Sequence, residues 1–292
     1  MSPRVHEAAG VPAEIAQELE SSFELVPRAE GADGVITTPA TTVDGAFFDA
    51  AGSQLRIVAN YAVGLDNIDL DAARARNVVV SNTPGVLTNA TAEHAIGLML
   101  ALLRRIAEGD RSLRRRDDWE WGPDFMVGES LEGKRVLVVG PGRIGRRVGE
   151  LVQAHGASVA YAGRDADLHA VLADADVVTL HCPLTSGTRH LLDASALAAM
   201  KPGAVVVNTA RGAVVDERAL VRALESGAIA GAALDVFEHE PDVAEELLEL
   251  ENVVVTPHIA SATRDTRLAM GRLVVSALRA VLLEGRTPEN AV

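Results

Sequence analysis

The second half of the chain alternates between short apolar runs and amphipathic stretches. Stretches such as "RIGRRVGELVQAHG" and "ERALVRALESG" separate the runs and have helical spacing. The runs are continuous in Val, Leu and Ala instead of alternating with polar residues, which is typical of strands buried on both faces. The pattern therefore predicts a parallel sheet with helices on each side, and its expected strands are "KRVLVVG", "SVAYA", "DVVTLHC", "AVVVNTA", "GAALDVF" and "NVVVTP".

The first ninety residues show shorter apolar runs, separated by polar or helical stretches. These runs predict a small α/β unit, and they read "FELV", "GVITT", "RIVANYA" and "NVVVSN". Two longer amphipathic segments follow, 89–109 and 264–285. The apolar positions in each recur at helical spacing, so we predict one continuous helix in each segment. We expect the second helix to pack back towards the N-terminal unit.

Composition and charge indicate the cellular compartment and the kinds of partner to expect. The 292 residues include one cysteine, Cys182, so no disulfide can form within the chain, as expected of a reduced, cytoplasmic protein. The longest apolar run, 96–103, is too short to span a bilayer, and the first ten residues contain no secretory apolar segment. A net charge of −14 argues against a nucleic-acid partner. The six arginines within 104–116 are interleaved with acids, which favours a solvated helix end or a subunit contact over a basic binding patch.

A glycine pattern marks the first candidate site. Gly140, Gly142 and Gly145 form G-x-G-x-x-G between a predicted strand and a predicted helix. In that context the glycines permit a tight turn, close approach of a pyrophosphate and close helix packing. The helix N-terminus offers free N–H groups to the phosphates. The pattern predicts a dinucleotide site.

Three further strand ends carry polar side chains suited to hydride-transfer chemistry. Arg211 follows one strand, Glu238 and Glu240 follow the next, and His258 follows the one after that. Ligands bind at this edge of open parallel sheets. Arginine can hold a substrate carboxylate, histidine can give a proton to a carbonyl oxygen, and a carboxylate can orient that histidine. Spacing alone does not choose between the two glutamates.

At these residues the chain resembles the D-isomer-specific 2-hydroxyacid dehydrogenase family, and most closely its glyoxylate and hydroxypyruvate reductase branch. The resemblance runs from Asn60 to Thr263 and rests on "NYAVGLDNID", "NTPGVLTNATAEHA", "VVGPGRIG", "HCPLT", "VVNTARGAVVDERAL", "GAALDVFEHEP" and "TPHIASAT". It implies two doubly wound parallel-sheet domains with the active site in the cleft between them. A Rossmann cofactor domain, 89–265, would be inserted into a flavodoxin-like substrate domain made of 1–88 and 266–292. It also implies a homodimer.

The resemblance assigns roles residue by residue. Arg211 matches the substrate arginine, His258 the acid/base and Glu240 its carboxylate partner, which leaves Glu238 as a bystander. Val63 and Gly64 match the loop whose N–H groups hold the substrate carboxylate. The predicted cofactor-binding residues, including Arg164 after the second cofactor-domain strand, are Thr91, Gly140, Gly142, Arg143, Ile144, Gly145, Arg164, Cys182, Pro183, Thr209, Ala210, Asp235 and His258. No metal-ligand cluster is evident, so we expect no metal.

The end of the second cofactor-domain strand bears on the choice of cofactor. In "SVAYAGRD", Gly163 stands where the family usually has a ribose-binding aspartate, and Arg164 follows it. The glycine removes repulsion of a 2′-phosphate and the arginine can pair with it, so we expect NADP(H) to be preferred over NAD(H). In the rival interpretation, Asp165 takes the aspartate's role and NADH is used.

The chain departs from the family pattern at two further places. The N-terminal unit is trimmed, and only ten residues separate "YAGRD" from "DVVTLHCP", where the family usually has a longer stretch with another strand. This shortening is expected to open the adenosine side or to weaken cofactor affinity.

The expected reaction is reduction of a small 2-oxo acid, glyoxylate or hydroxypyruvate, by NAD(P)H to the D-2-hydroxy acid. Two alternatives remain open at this point. One is a dinucleotide-sensing interaction protein like the corepressor relatives of the family, and the other is a dehydrogenase of another small 2-hydroxy acid or of phosphoglycerate.

Overall fold

The computed structural model describes residues 2–292 and divides the chain into two units. Unit 1 runs to Leu87 and resumes at Ser261–Val292, and unit 2 is Thr88–Ala260. Unit 2 thus starts at Thr88, one residue earlier than the sequence predicts, and residues 261–265 belong to unit 1.

Strands and helices alternate along both units. In chain order the strands are β1 (Arg4–Glu7), β2 (Glu24–Val26), β3 (Gly34–Thr37), β4 (Ile57–Asn60), β5 (Val79–Ser81), β6 (Arg135–Val139), β7 (Ser158–Ala162), β8 (Val177–Leu180), β9 (Val205–Asn208), β10 (Gly231–Leu234) and β11 (Val253–Val255). The helices are α1 (Ala13–Glu20), α2 (Gly45–Ala51), α3 (Leu70–Ala75), α4 (Thr88–Leu103), α5 (Ile106–Arg115), α6 (Arg143–Ala154), α7 (Leu168–Leu172), α8 (Ala194–Ala198), α9 (Glu217–Glu225), α10 (Glu245–Glu249) and α11 (Arg264–Leu282).

Unit 1 is a five-stranded parallel sheet in the order β2-β1-β3-β4-β5, which is the flavodoxin-like order. Helix α11 packs on α1, β3 and β4, as the apolar face of its sequence predicts. The contact is close at Gly271, where a Cβ would lie 2.4 Å from Ile15 Cγ1. No apolar run marks β1 in the sequence, because Val5 is the only apolar residue of that strand and the only one that is buried.

Unit 2 is a six-stranded parallel sheet in the order β11-β10-β9-β8-β6-β7. Every residue of β8, β9 and β10 is buried, so the continuous apolar runs were correctly interpreted as strands covered on both faces. The two all-parallel sheets confirm the predicted doubly wound α/β class. Strand β7 pairs only with β6 and forms the sheet edge, and the short connection through α7 adds no strand outside it.

The predicted continuous helix over 89–109 was wrong, since the structure splits it into α4 and α5. Arg105 takes a left-handed conformation with φ 53° at the break. The Leu103 carbonyl accepts the N–H of Glu129 at 2.8 Å. A tertiary hydrogen bond therefore takes the acceptor that the helix needed to continue.

The arginine run lies on α5 and at its ends, where it is largely neutralised. Arg105 bonds to Glu108, Arg114 to Asp110, and Arg115 to both Asp117 and Glu251. These pairs agree with a solvated helix and leave no concentrated basic surface at those positions.

Candidate active site

The glycine loop joins β6 to α6 in a very confined space. A Cβ on Gly140, which has φ 92°, would lie 2.6 Å from the backbone N of Cys182, and a Cβ on Gly145 would lie 2.2 Å from the Gly140 carbonyl oxygen. Gly142 precedes the helix, and a Cβ there would meet nothing within 4 Å. Within the described chain no side chain caps the start of α6. The N–H groups of its first turn, which include those of Arg143 and Ile144, are therefore available to an anion.

Buried polar atoms near the same sheet edge fit a dinucleotide. The Thr209 hydroxyl and the His181 Nδ1 atom are buried and accept or donate no hydrogen bond within residues 2–292. Burial lowers the pKa of His181 to about 3, so its ring is neutral. Cys182 is buried beside the glycine loop, and burial raises the pKa of its thiol, as expected of a wall and not of a nucleophile. A pyrophosphate would fit the open space at Gly142 and accept from the free N–H groups at the start of α6. A nicotinamide riboside would offer hydrogen-bond partners to the unpaired polar atoms.

The end of β7 is open. A Cβ on Gly163 would meet only Pro141 Cγ, at 3.9 Å. Arg164 and Asp165 are both exposed in the turn that follows. The turn after β7 therefore combines open space at Gly163 with an exposed cation, Arg164, beside it.

The histidine and one of the glutamates form a pair. His258 Nδ1 lies 2.7 Å from Glu240 Oε2, and Glu240 Oε1 accepts the Phe237 N–H at 3.0 Å. Burial acts to raise the pKa of Glu240, but the bonds from His258 and Phe237 and the charge of Arg211 outweigh it, so that pKa lies below its ordinary value. Glu240 therefore stays ionised at neutral pH and places its negative charge against the His258 ring.

Arg211 follows β9 in a loop shaped by Asn208. The Asn208 side chain donates to the Arg211 carbonyl at 2.9 Å and accepts the Ala210 N–H at 3.0 Å. The next residue, Gly212, touches the segment after β10, since a Cβ on Gly212 would lie 1.8 Å from the carbonyl carbon of Phe237. The glycine thus lets the arginine loop and the glutamate turn pack directly on one another.

Asp235 holds the turn that carries His258. Its carboxylate is fully buried, and its main-chain oxygen accepts the His258 N–H at 2.8 Å. Burial acts to raise the pKa of Asp235, but hydrogen bonds outweigh burial and the pKa is lowered. The carboxylate accepts from Ile259 N–H (2.8 Å), Ala260 N–H (2.8 Å), the Thr256 hydroxyl (2.6 Å) and His94 Nε2 (3.2 Å). These bonds fix His258 in a left-handed conformation, φ 52°.

The loop of Val63 and Gly64 lies in unit 1, and side-chain amides hold its carbonyls. Asn82 donates to the Val63 carbonyl at 2.9 Å and Asn60 to the Gly64 carbonyl at 2.8 Å. The Asn60 amide oxygen accepts the Thr37 hydroxyl at 3.1 Å. The loop is therefore fixed from the interior of its own unit. In unit 2, Thr91 is buried in the first turn of α4.

Several contacts around the His258–Glu240 pair are not predicted by the sequence pattern. The Glu238 carboxylate pairs with His190 at 2.7 Å, and the Glu217 carboxylate accepts the Glu238 N–H. His94 and Thr256 support Asp235. The sequence carries no signal for these contacts, because an acid at a helix start or a histidine after a turn is ordinarily solvated.

No three His, Cys, Asp or Glu side chains within residues 2–292 are grouped to hold a metal ion. No helix in that range has the length and apolar character needed to cross a bilayer.

The glycine loop, the His–Glu pair and the arginine at one sheet edge define a nicotinamide-dependent oxidoreductase. Residues 96–260 match the family model described as "D-isomer specific 2-hydroxyacid dehydrogenase, NAD binding domain". The chain belongs to the D-isomer specific 2-hydroxyacid dehydrogenase family, as the sequence motifs predict.

Known relatives are similar to this chain over most or all of its length. A glyoxylate reductase of Pyrococcus furiosus is 40% identical and the match covers 100% of this chain and 96% of that protein. One of Thermococcus litoralis is 41% identical over 92% and 86% of the two chains. Among solved structures, the TT0316 protein of Thermus thermophilus has a TM-score of 0.92 at 41% identity over 99% of each chain. The NADPH-dependent glyoxylate/hydroxypyruvate reductase of Sinorhizobium meliloti, in complex with NADP and malonate, has a TM-score of 0.88 at 35% identity over 100% and 97%.

Proposed function

We propose that this protein reduces glyoxylate or hydroxypyruvate to the D-2-hydroxy acid with a nicotinamide dinucleotide. The observation that carries the proposal is the 2.7 Å bond between His258 and Glu240, with Arg211 close enough for its charge to act on Glu240. The glyoxylate reductases named above support the choice of substrate.

Each residue has a chemical role in that reaction. The reduced nicotinamide, when bound, supplies hydride to the carbonyl carbon. Arg211 is assigned to hold the substrate carboxylate and to polarise the carbonyl. The family resemblance also assigns carboxylate binding to the N–H groups of Val63 and Gly64. His258 uses Nδ1 for Glu240, so Nε2 is the atom that gives the proton to the carbonyl oxygen. Hydride on carbon and a proton on oxygen give the hydroxy acid, and Glu240 keeps the ring oriented throughout.

The cofactor would be held along the sheet edge of unit 2. Gly140, Gly142 and the first turn of α6 suit the pyrophosphate. The rest of the cofactor would be lined by Cys182, Pro183, Thr209, Ala210 and Asp235. We propose that NADPH is preferred over NADH, because Gly163 is open and Arg164 is exposed beside it. The NADP complex of the Sinorhizobium meliloti enzyme supports this preference.

We also propose a homodimer formed through α5 and the segment after it. Large apolar side chains are exposed there, and Trp119 stacks on Phe125 with ring centroids 6.0 Å apart. Exposed apolar clusters mark association surfaces, and this one comprises Ile106, Leu113, Trp119, Trp121, Phe125 and Val127. Light scattering on the purified protein would give the mass, and a monomer would contradict the proposal.

The first experiment is a steady-state comparison of NADPH and NADH with glyoxylate, hydroxypyruvate and pyruvate, following absorbance of the reduced nicotinamide. We expect turnover of glyoxylate or hydroxypyruvate with NADPH favoured. Firm cofactor binding without turnover of any 2-oxo acid would overturn the enzyme proposal and favour a dinucleotide-sensing protein. Preference for NADH would overturn the cofactor proposal alone.

A further inference from the structure

Glu217 is a buried carboxylate at a position where an exposed one is normal. It is the first residue of α9, directly after the N-cap Asp216, and only 8% of it is exposed. An acid in the first turn usually faces solvent, where it complements the helix dipole. Here Glu217 Oε1 instead accepts the Glu238 N–H at 2.5 Å. The side chain therefore links the start of α9 to the segment after β10.

That segment, Phe237–Glu240, is the turn that carries the partner of His258. Its own closing bond runs from the Phe237 N–H to Glu240 Oε1. The Glu238 carboxylate is held at its other end by His190, at 2.7 Å. The turn is thus bonded through the Glu238 main chain to Glu217 at the start of α9 and through the Glu238 side chain to His190.

We propose that Glu217 is a positioning residue for the Glu240–His258 pair, because its acceptance of the Glu238 N–H fixes the turn that holds Glu240 against His258. This inference rests on the function proposed above. A displacement of about 1 Å in such a pair is enough to cost about 100-fold in rate. Glu217 itself touches neither member of the pair.

For this role the side chain at position 217 must accept a hydrogen bond, and it need not be charged. The charged groups that act on Glu217 are Glu238, His239 and Glu240. Burial raises the pKa of Glu217, the Glu238 N–H opposes this, and the two neighbouring glutamates add to the rise. Protonated or ionised, the carboxyl keeps an oxygen for the Glu238 N–H. An amide can therefore replace it, whereas a side chain without an oxygen at that place cannot.

The test compares Glu217→Gln, Glu217→Met and Glu217→Asp with the wild type. Glu225→Met, at the exposed end of the same helix, is the matched control. We expect Gln and the control to keep kcat within about threefold of the wild type. Met, which has no oxygen, and Asp, whose oxygens are withdrawn by one methylene, should lower kcat by about 10- to 100-fold. Asp keeps the test decisive if Met does not fold.

Two readouts separate positioning from general stability. The alkaline limb of the pH profile for reduction should move to lower pH in Met and Asp, because His258 loses its ordered carboxylate, while cofactor affinity by nicotinamide fluorescence stays unchanged. A lower melting temperature with unchanged kcat and pH profile would overturn the inference. The wild-type control keeps the two proposals apart, since absence of turnover there contradicts the proposed function and not the role of Glu217.

Discussion

The Nδ1 atom of His258 lies 2.7 Å from Oε2 of Glu240, although 18 residues separate the two along the chain. They meet because β10 and β11 are adjacent parallel strands and both residues lie beyond the same sheet edge. The Glu240 carboxylate accepts the Phe237 N–H, and the His258 N–H donates to the Asp235 carbonyl beyond β10. The pair is therefore held in place by bonds within the protein itself.

Glu240→Gln should lower kcat for reduction by about 100-fold, because the amide cannot favour a protonated imidazole. The alkaline limb of the rate profile should move to lower pH for the same reason. Steady-state kinetics from pH 5 to 9 checks both effects. Glu246→Gln on the exposed side of α10 is the control, and an unchanged profile in Glu240→Gln would remove the carboxylate from the proton chemistry.

Arg164→Gln should raise KM for NADPH by about tenfold and leave KM for NADH unchanged, because only the 2′-phosphate needs the cation. Arg146→Gln, an exposed arginine on α6, serves as the control for general loss of charge. Equal effects on both cofactors would mean that Arg164 does not read the phosphate.

Gly163→Asp should shift the ratio of kcat/KM for NADPH over NADH towards NADH by at least about tenfold. The new side chain has space, since its Cβ would meet only Pro141 Cγ at 3.9 Å. Its carboxylate can accept from both ribose hydroxyls and repels a 2′-phosphate. Kinetics with both cofactors on the purified variant measures the ratio, and an unchanged ratio would show that the ribose lies elsewhere.

Gly212→Ala should destabilise the protein by about 1–3 kcal/mol and reduce kcat, because its Cβ would lie 1.8 Å from the Phe237 carbonyl carbon. The arginine loop and the glutamate turn must then separate. Gly97→Ala is the contrasting variant: its Cβ would meet nothing within 4 Å inside α4, so it should stabilise by about 0.5–1 kcal/mol. Urea unfolding compares the two, and similar effects would contradict the close contact at Gly212.

Asp235→Asn should cost about 1–3 kcal/mol at pH 7, since a buried acceptor of several N–H groups is lost. The folded-state pKa of Asp235 is lowered, so its contribution is complete above the ordinary carboxyl pKa of about 4 and disappears as pH falls through the lower value. The deficit relative to the wild type should therefore shrink below about pH 4. Urea unfolding at several pH values tests this, with Asp124→Asn, an exposed acid, as control. A deficit independent of pH would be inconsistent with an ionised Asp235.

The sequence predicts the sheet of unit 2 well because each strand there is a continuous apolar run. It fails where one contact decides the structure. Val5 alone carries the apolar character of β1, so no pattern marks that strand. The helix break at Arg105 depends on the Glu129 N–H reaching Leu103, 26 positions away, and no local pattern contains that bond.

The same limit applies to the candidate site. Strand ends indicated that an arginine, a carboxylate and a histidine share one edge. Spacing did not separate Glu238 from Glu240, because the choice depends on a turn closed by the Phe237 N–H. The burial of Glu217 was equally hidden, since Asp216 and Glu217 together read as an ordinary solvated helix start.

The assignment of residues to the two units has an evolutionary consequence. Arg211, Glu240, His258 and the glycine loop all lie within Thr88–Ala260, while the proposed substrate loop of Val63 and Gly64 belongs to the other unit. That loop is fixed by Asn60 and Asn82, which are also in its own unit. The proposed proton-transfer and cofactor-binding residues therefore lie on one continuous stretch of the chain, so a single gene segment encodes them all.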